Sequence, residues 1–200
     1  MKKFELTSEF VTFLGKTLFR IKALVSFGDV AEGELGGFIE RENNLDQSGD
    51  AWVYGDAQVC GDARVYGDAW VYGDARVYGD ARVCGDAQVY GDAWVFGNAW
   101  VSGDARVCGD ARVFGNAWVS GDARVQNCRD YSATSCFGSE NRTTTFFRTK
   151  DGGISVRCGC FYGTLREFRE KVKERHGDSR LAKEYLMLAD LMEFRLSKDE

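Results

Sequence analysis

The chain has no proline, a single histidine, and no run of apolar residues long enough to cross a bilayer. Each lack excludes something. Without proline there is no Pro-rich linker or tail. With His176 alone, sites built from several histidines are out of reach. Without about 18 consecutive apolar residues no membrane span is expected. The opening Met1-Lys2-Lys3-Phe4-Glu5-Leu6 has basic residues but no apolar core of a secretory signal. A reducing cytoplasm, with seven free thiols, is therefore the expected setting. No basic patch is large enough for a duplex-DNA footprint, so direct duplex binding is not expected. A final lack is local: between Gly49 and Gln126 there is neither lysine nor glutamate.

That same stretch holds eleven Asp, six Arg and all five Trp, so it carries the whole net charge of −5 while the remainder sums to zero. The cause is a repeat. From Gly49 the tripeptide Gly-Asp/Asn-Ala returns every six residues to Gly121, thirteen times without a slip, in units reading Gly-Asp-Ala-x-Val-y. Ala and Val lie two apart and share one face of an extended strand, with x and y on the other. Gly-Asp and Gly-Asn are turn chemistry. Each hexapeptide is thus a very short strand plus a corner. Such a unit cannot bury its apolar side alone, so units must coil and stack.

The pattern, as in Val53-Tyr54-Gly55-Asp56-Ala57-Gln58, resembles the hexapeptide-repeat left-handed parallel β-helix, although Tyr, Phe, Cys or Ser stands at the second position, where that family has a small or acidic residue. The resemblance implies three hexapeptides per coil, hence an 18-residue period and a triangular prism of about five coils. Residues i and i+18 then stack. The first face presents Trp52, Trp70, Gln88, Arg106 and Arg124 at x, with Tyr54, Tyr72, Tyr90 and Cys108 at y. The second presents Gln58, Arg76, Trp94 and Arg112, beside a Cys60, Tyr78, Phe96 and Phe114 column. The third presents Arg64, Arg82, Trp100 and Trp118, beside Tyr66, Cys84, Ser102 and Ser120.

The flanks do not repeat. Ile39 and Leu45 fall twelve and six residues before Ala51, so a degenerate opening coil is expected from about Gly33. Residues 1–32 read as two strands and a tight turn, an N-terminal β cap over the solenoid edge. Residues 33–127 form the β-helix. Residues 128–163 read as a linker and a β-hairpin, with Thr143–Arg148 and Ile154–Cys158 around Lys150-Asp151-Gly152-Gly153. Residues 164–200 read as two α-helices, the first opened by the capping box Thr164-x-x-Glu167 and stopped at Gly177. The fold class is therefore mainly β. Gly159-Cys160-Phe161-Tyr162-Gly163-Thr164-Leu165, and Phe27-Gly28-Asp29-Val30 before Leu35–Glu40, resemble segments of phage and prophage proteins.

Outward Trp, Tyr, Phe and Arg are the residue types of interface hot spots. The candidate partner-binding set is Trp52, Trp70, Tyr54, Tyr72, Tyr90, Trp94, Phe96, Phe114, Trp100, Trp118, Arg76, Arg106, Arg112 and Arg124. Stacked aromatic ladders would also stabilise the prism by themselves. The Asp corners form like-charge rows that neighbouring Arg would offset, or that imitate a phosphate backbone toward a basic partner. Cys60, Cys84 and Cys108 are 24 residues apart and fall on different faces, so they neither pair nor share a metal. Cys128, Cys136, Cys158 and Cys160 lack zinc-motif spacing and read as ordinary thiols.

Hexapeptide-repeat proteins are often trimeric acyltransferases using a histidine base in the solenoid. Here no histidine precedes His176, which reads as a helix-end residue, and no loop interrupts the repeats. No catalytic residue, metal or cofactor is expected. The reading is a non-enzymatic binding protein, a phage or prophage accessory factor that inhibits a host macromolecule such as a CRISPR or other antiviral defence component. Its partner would be a protein, including a nucleic-acid-binding defence complex, and it could self-associate as a dimer or trimer. The alternatives are a sponge for a nucleotide immune signal, a degenerate acyltransferase, and a purely structural oligomerisation module.

Overall fold

The computed structural model describes residues 2–197. The chain opens with β1 (Phe4–Phe13) and β2 (Lys16–Ala23), an antiparallel hairpin turned by Leu14 and Gly15, followed by β3 (Leu35–Ile39). Each hexapeptide then supplies one two-residue strand, x-Val. In order these are β4 (Trp52–Val53), β5 (Gln58–Val59), β6 (Arg64–Val65), β7 (Trp70–Val71), β8 (Arg76–Val77), β9 (Arg82–Val83) and β10 (Gln88–Val89). The series continues with β11 (Trp94–Val95), β12 (Trp100–Val101), β13 (Arg106–Val107), β14 (Arg112–Val113), β15 (Trp118–Val119) and β16 (Arg124–Val125).

These strands sort by threes into parallel sheets: β4-β7-β10-β13-β16, β5-β8-β11-β14 and β6-β9-β12-β15. Neighbours lie 18 residues apart, as in Trp52↔Trp70, Trp70↔Gln88 and Gln88↔Arg106. The three faces are those expected from the 18-residue coil. Amides reach down one coil: Trp70 N donates to Ala87 O at 2.9 Å, and Tyr72 N to Val89 O at 3.0 Å. Strands of two residues stabilise little alone, so the interior must be dry. Every repeat Ala and Val from Ala51 to Val125 is at most 1% exposed. The corner glycines hold φ between +59° and +74°. At Gly79 a Cβ would also meet Gly97 N at 2.9 Å, so coil spacing as well as dihedral demands glycine there.

The opening coil departs from the expected register. Ile39 pairs with Val59 and Leu45 with Val65, each 20 residues on. Both therefore occupy the Val slot of the repeat and not the Ala slot. The two extra residues fall between Leu45 and Val53, where the Asp46 carboxylate accepts bonds from Ser48 N at 3.1 Å and Ser48 Oγ at 3.0 Å to shape a wider corner. Asn44 in this coil is fully buried, its amide donating to Gly61 O at 3.0 Å and Ala63 O at 2.8 Å.

Both ends of the core are closed. At the first, Phe4, Ile21, Ala23 and Val30 join the prism interior. The buried Lys3 ammonium donates to Gly49 O and Ala51 O at 3.1 and 3.0 Å, covering carbonyls that have no coil above them. Burial lowers its pKa, against the pull of Asp46, Asp50 and Asp68. At the other end, the sequence suggests a linker and a hairpin, but the structure has a four-stranded antiparallel meander. It comprises β17 (Tyr131–Phe137), β18 (Arg142–Arg148), β19 (Ile154–Cys158) and β20 (Phe161–Thr164). The outer two strands escape notice because β17 is polar and half exposed, and β20 is only four residues long.

Two helices follow, α1 (Leu165–His176), with the Thr164–Glu167 capping box in place, and α2 (Arg180–Leu196). Alternation along β18 joins two cores: Phe147 points into the prism, and Phe146 into the helical cluster with Phe168, Tyr185 and Leu196.

Candidate interaction surface

The repeat directs every x and y side chain away from the Ala-Val core, but the flanking segments decide which of them reach solvent. Trp52 is a correction to the outward set: it is 0% exposed. Phe27 and Phe4 close over its indole with ring centroids at 5.3 and 6.2 Å. The N-terminal cap wraps around the first coil's outer face as well as its open end, and no local sequence pattern shows that. Tyr54 is half-buried beside Trp70 at 5.2 Å, and burial pushes its phenol up to about 12.

The remaining candidates form columns. On the first face Tyr72 and Tyr90 stack at 4.7 Å and 2°. A Cys108 thiol bond and burial push Tyr90 up to about 12, so this ladder is uncharged at neutral pH. Arg106 is exposed, while Arg124 is half-buried and donates to the Asp104, Asp122 and Ala123 carbonyls. On the third face Trp100 and Trp118 stack at 4.5 Å and 3°. Arg82 covers one end of the pair at 5.7 Å and Arg157, from the meander, the other at 3.6 Å. The indole N–H groups are satisfied by Cys84 Sγ and Ser102 Oγ, both at 3.1 Å. That column is a closed Arg-Trp-Trp-Arg stack.

The second face is closed above and open below. Tyr78, Phe96 and Phe114 stack at 5.0 and 5.3 Å, and Trp94 sits between Arg76 at 5.1 Å and Arg112 at 5.2 Å. Phe13 of the hairpin covers the upper part, touching Tyr78, Trp94 and Arg76. Below it Arg112 is exposed, Trp94 and Phe96 are half-buried, and Phe114 is 51% exposed.

The expected Asp–Arg compensation is also corrected. Among the described residues the repeat aspartates in ion pairs are Asp56 with Arg20 and Asp62 with Arg41, both partners lying outside the repeat. The repeat arginines lie on the flat faces and stack on rings, whereas the aspartates stand at corners two residues away. Stacking Asp by 18 gives three unequal ridges. The first runs Asp50, Asp68, Asp86, Asp104, Asp122 and the second Asp56, Asp74, Asp92, Asp110. The third turns neutral after Asp62 and Asp80, where Asn98 donates to Asn116 at 3.2 Å.

Two features escaped sequence reasoning. Met187, Leu191 and Phe194 form a stripe on α2 that is 71%, 56% and 86% exposed. Their i, i+4, i+7 spacing was a legible signal, overshadowed by the core stripe on the same helix. His176 stacks on Tyr185 at 5.6 Å. Among the described residues, no group of three or more His, Cys, Asp or Glu is placed to hold a metal ion. No helix among them is long and apolar enough to cross a membrane.

The family model described as YdcK Beta solenoid repeat matches residues 57–73, 69–85, 87–103 and 105–121. The last three segments begin 18 residues apart, one coil each. No curated protein matches the chain. Repeat, coil and family match agree: this is a β-solenoid repeat protein whose hexapeptides are similar to the YdcK solenoid repeat.

Proposed function

We propose that the solenoid is a non-enzymatic binding scaffold, and that the lower half of its second face is the surface a protein partner recognises. The supporting observation is the set of exposed carboxylates Asp74, Asp92 and Asp110, which have no ion-pair partner among the described residues, bordering Trp94, Arg112 and Phe114. Aromatic and Arg side chains at the centre with unpaired acids at the rim suit a basic, partly apolar protein surface. The acids recur once per coil, roughly every 4.8 Å, a rigid spacing suited to a groove that otherwise holds a phosphate backbone. With the phage-like flanks, the favoured partner is a nucleic-acid-binding host protein in the cytoplasm, such as a component of an antiviral defence complex, which the scaffold would inhibit.

Asn at positions 98 and 116 shows that Asp→Asn is compatible with the corner. A variant carrying Asp92→Asn, Asp110→Asn, Arg112→Ala and Phe114→Ser should therefore fold. Wild-type protein is expected to capture a nucleic-acid-binding host protein that elutes with salt, and the variant to lose it. Equal capture by both, or capture insensitive to salt, would reject this surface.

A further inference from the structure

A second place in the molecule, independent of the solenoid surface, carries chemistry of its own. A cavity of about 100 Å³ opens between the β19–β20 turn and α1. Pockets for drug-sized ligands run to roughly 300–1,000 Å³, so this one takes in only one end of such a molecule. Cys158 and Cys160 both line it. Cys158 pairs with Phe161 across the hairpin, which leaves Gly159 and Cys160 as a two-residue loop with Gly159 at φ +58°. A chain that reverses within two residues holds Cα(i) and Cα(i+2) at roughly 5.5 Å, inside the ~4.4–6.8 Å range of disulfides.

The two thiols differ in access. Cys160 is exposed and Cys158 half-buried, and the buried Thr144 hydroxyl donates to Cys158 Sγ at 3.1 Å. Arg142, Lys171 and Arg175 line the opening, together with one carboxylate, Glu140, and the His176 ring. Lys171 is paired with Glu174 at 2.8 Å, the nearest carboxylate contact of Arg142 is Glu140 at 3.9 Å, and Arg175 makes no ion pair among the described residues. Exposed thiols in electropositive surroundings are the reactive ones.

We propose that Cys158 and Cys160 form a thiol–disulfide exchange site for anionic low-molecular-weight disulfides of the glutathione type. The Cys160 thiolate attacks one sulfur of the disulfide R–S–S–R, forming Cys160–S–S–R and expelling RS⁻. The Cys158 thiolate then displaces the second RS⁻, leaving a Cys158–Cys160 disulfide. Two protein thiols are oxidised, the small disulfide is reduced to two thiols, and the two protein protons end on them. The cationic rim draws the carboxylates of the incoming disulfide toward Cys160.

The test uses the full chain with glutathione disulfide, followed by peptide mapping. Cys128 and Cys136, both exposed, serve as internal references. Wild type is expected to yield the Cys158–Cys160 cross-link, and Cys158→Ser to accumulate glutathione on Cys160. The Arg142→Gln, Arg175→Gln double variant should react roughly threefold or more slowly at low salt, with no change toward an uncharged disulfide. Oxidised wild type without the cross-link would overturn the proposal. So would glutathione on Cys128 or Cys136 as fast as on Cys160 in Cys158→Ser. Circular dichroism of each variant separates loss of reactivity from loss of fold. In Cys160→Ser, in an exposed turn, the half-buried Cys158 should take up glutathione more slowly than Cys160 does in Cys158→Ser, equal rates overturning the assignment of Cys160 as the attacking thiol.

Discussion

Trp52 and Trp94 occupy the same slot of the repeat in two different hexapeptides, yet one is sealed and the other half open. Both point away from the Ala-Val interior, as strand alternation requires. The difference comes from what lies against the outer face: Phe4 and Phe27 enclose Trp52, while Trp94 meets Phe13 on one side and two guanidinium groups above and below. The repeat sets direction and the flanking segments set exposure. A tryptophan in a solenoid is therefore structural or available according to non-local contacts.

The sharpest way to break that comparison is to truncate both. Trp52→Ala removes a fully enclosed ring and should cost about 3–5 kcal/mol by urea unfolding. Trp94→Ala loses two cation–ring contacts and part of one aromatic cluster, and about 1–2 kcal/mol is expected. Equal losses would mean that the cap does not distinguish the two sites. The next contrast lies in the corners. Gly79→Ala meets both a left-handed backbone and the amide of the next coil, and about 2 kcal/mol is expected. Gly115, with φ +68° and nothing within 4 Å of an added Cβ, carries only the backbone penalty, about 1 kcal/mol. A smaller effect is the coupling of Tyr72 to Tyr90, where a double-mutant cycle should return about 0.5–1.5 kcal/mol.

How far these contrasts were legible depends on the range of the interaction. The prism, its three faces and the Tyr78-Phe96-Phe114 ladder follow from a six-residue repeat and an 18-residue coil, because each position sees its neighbours at fixed separations. The burial of Trp52 depends on Phe4 and Phe27, 48 and 25 residues upstream, outside any period. The two-residue shift of Ile39 and Leu45 was hidden because aliphatic residues fit the Ala and Val slots equally in pattern. Polar β17 gave no alternating signal. The pairing of Arg with rings in place of Asp was unreadable from counts, since composition places charges in one stretch but not on one edge.

The acidic ridges allow the gentlest test. The second ridge keeps Asp at each coil, while the third carries the Asn98–Asn116 bond at the equivalent corner. Converting Asp92 and Asp110 to Asn makes the second ridge resemble the third, replacing like charges on adjacent coils with an amide ladder. Folding alone then favours the variant: its melting temperature should rise by about 1 °C at low salt and match wild type at high salt, where exposed charges are screened. Partner capture should move the opposite way. Carboxylates kept solely for the turn would leave capture untouched. If the carboxylates dock a basic surface, their loss weakens capture in the same protein whose stability had increased, and only recognition separates those two responses.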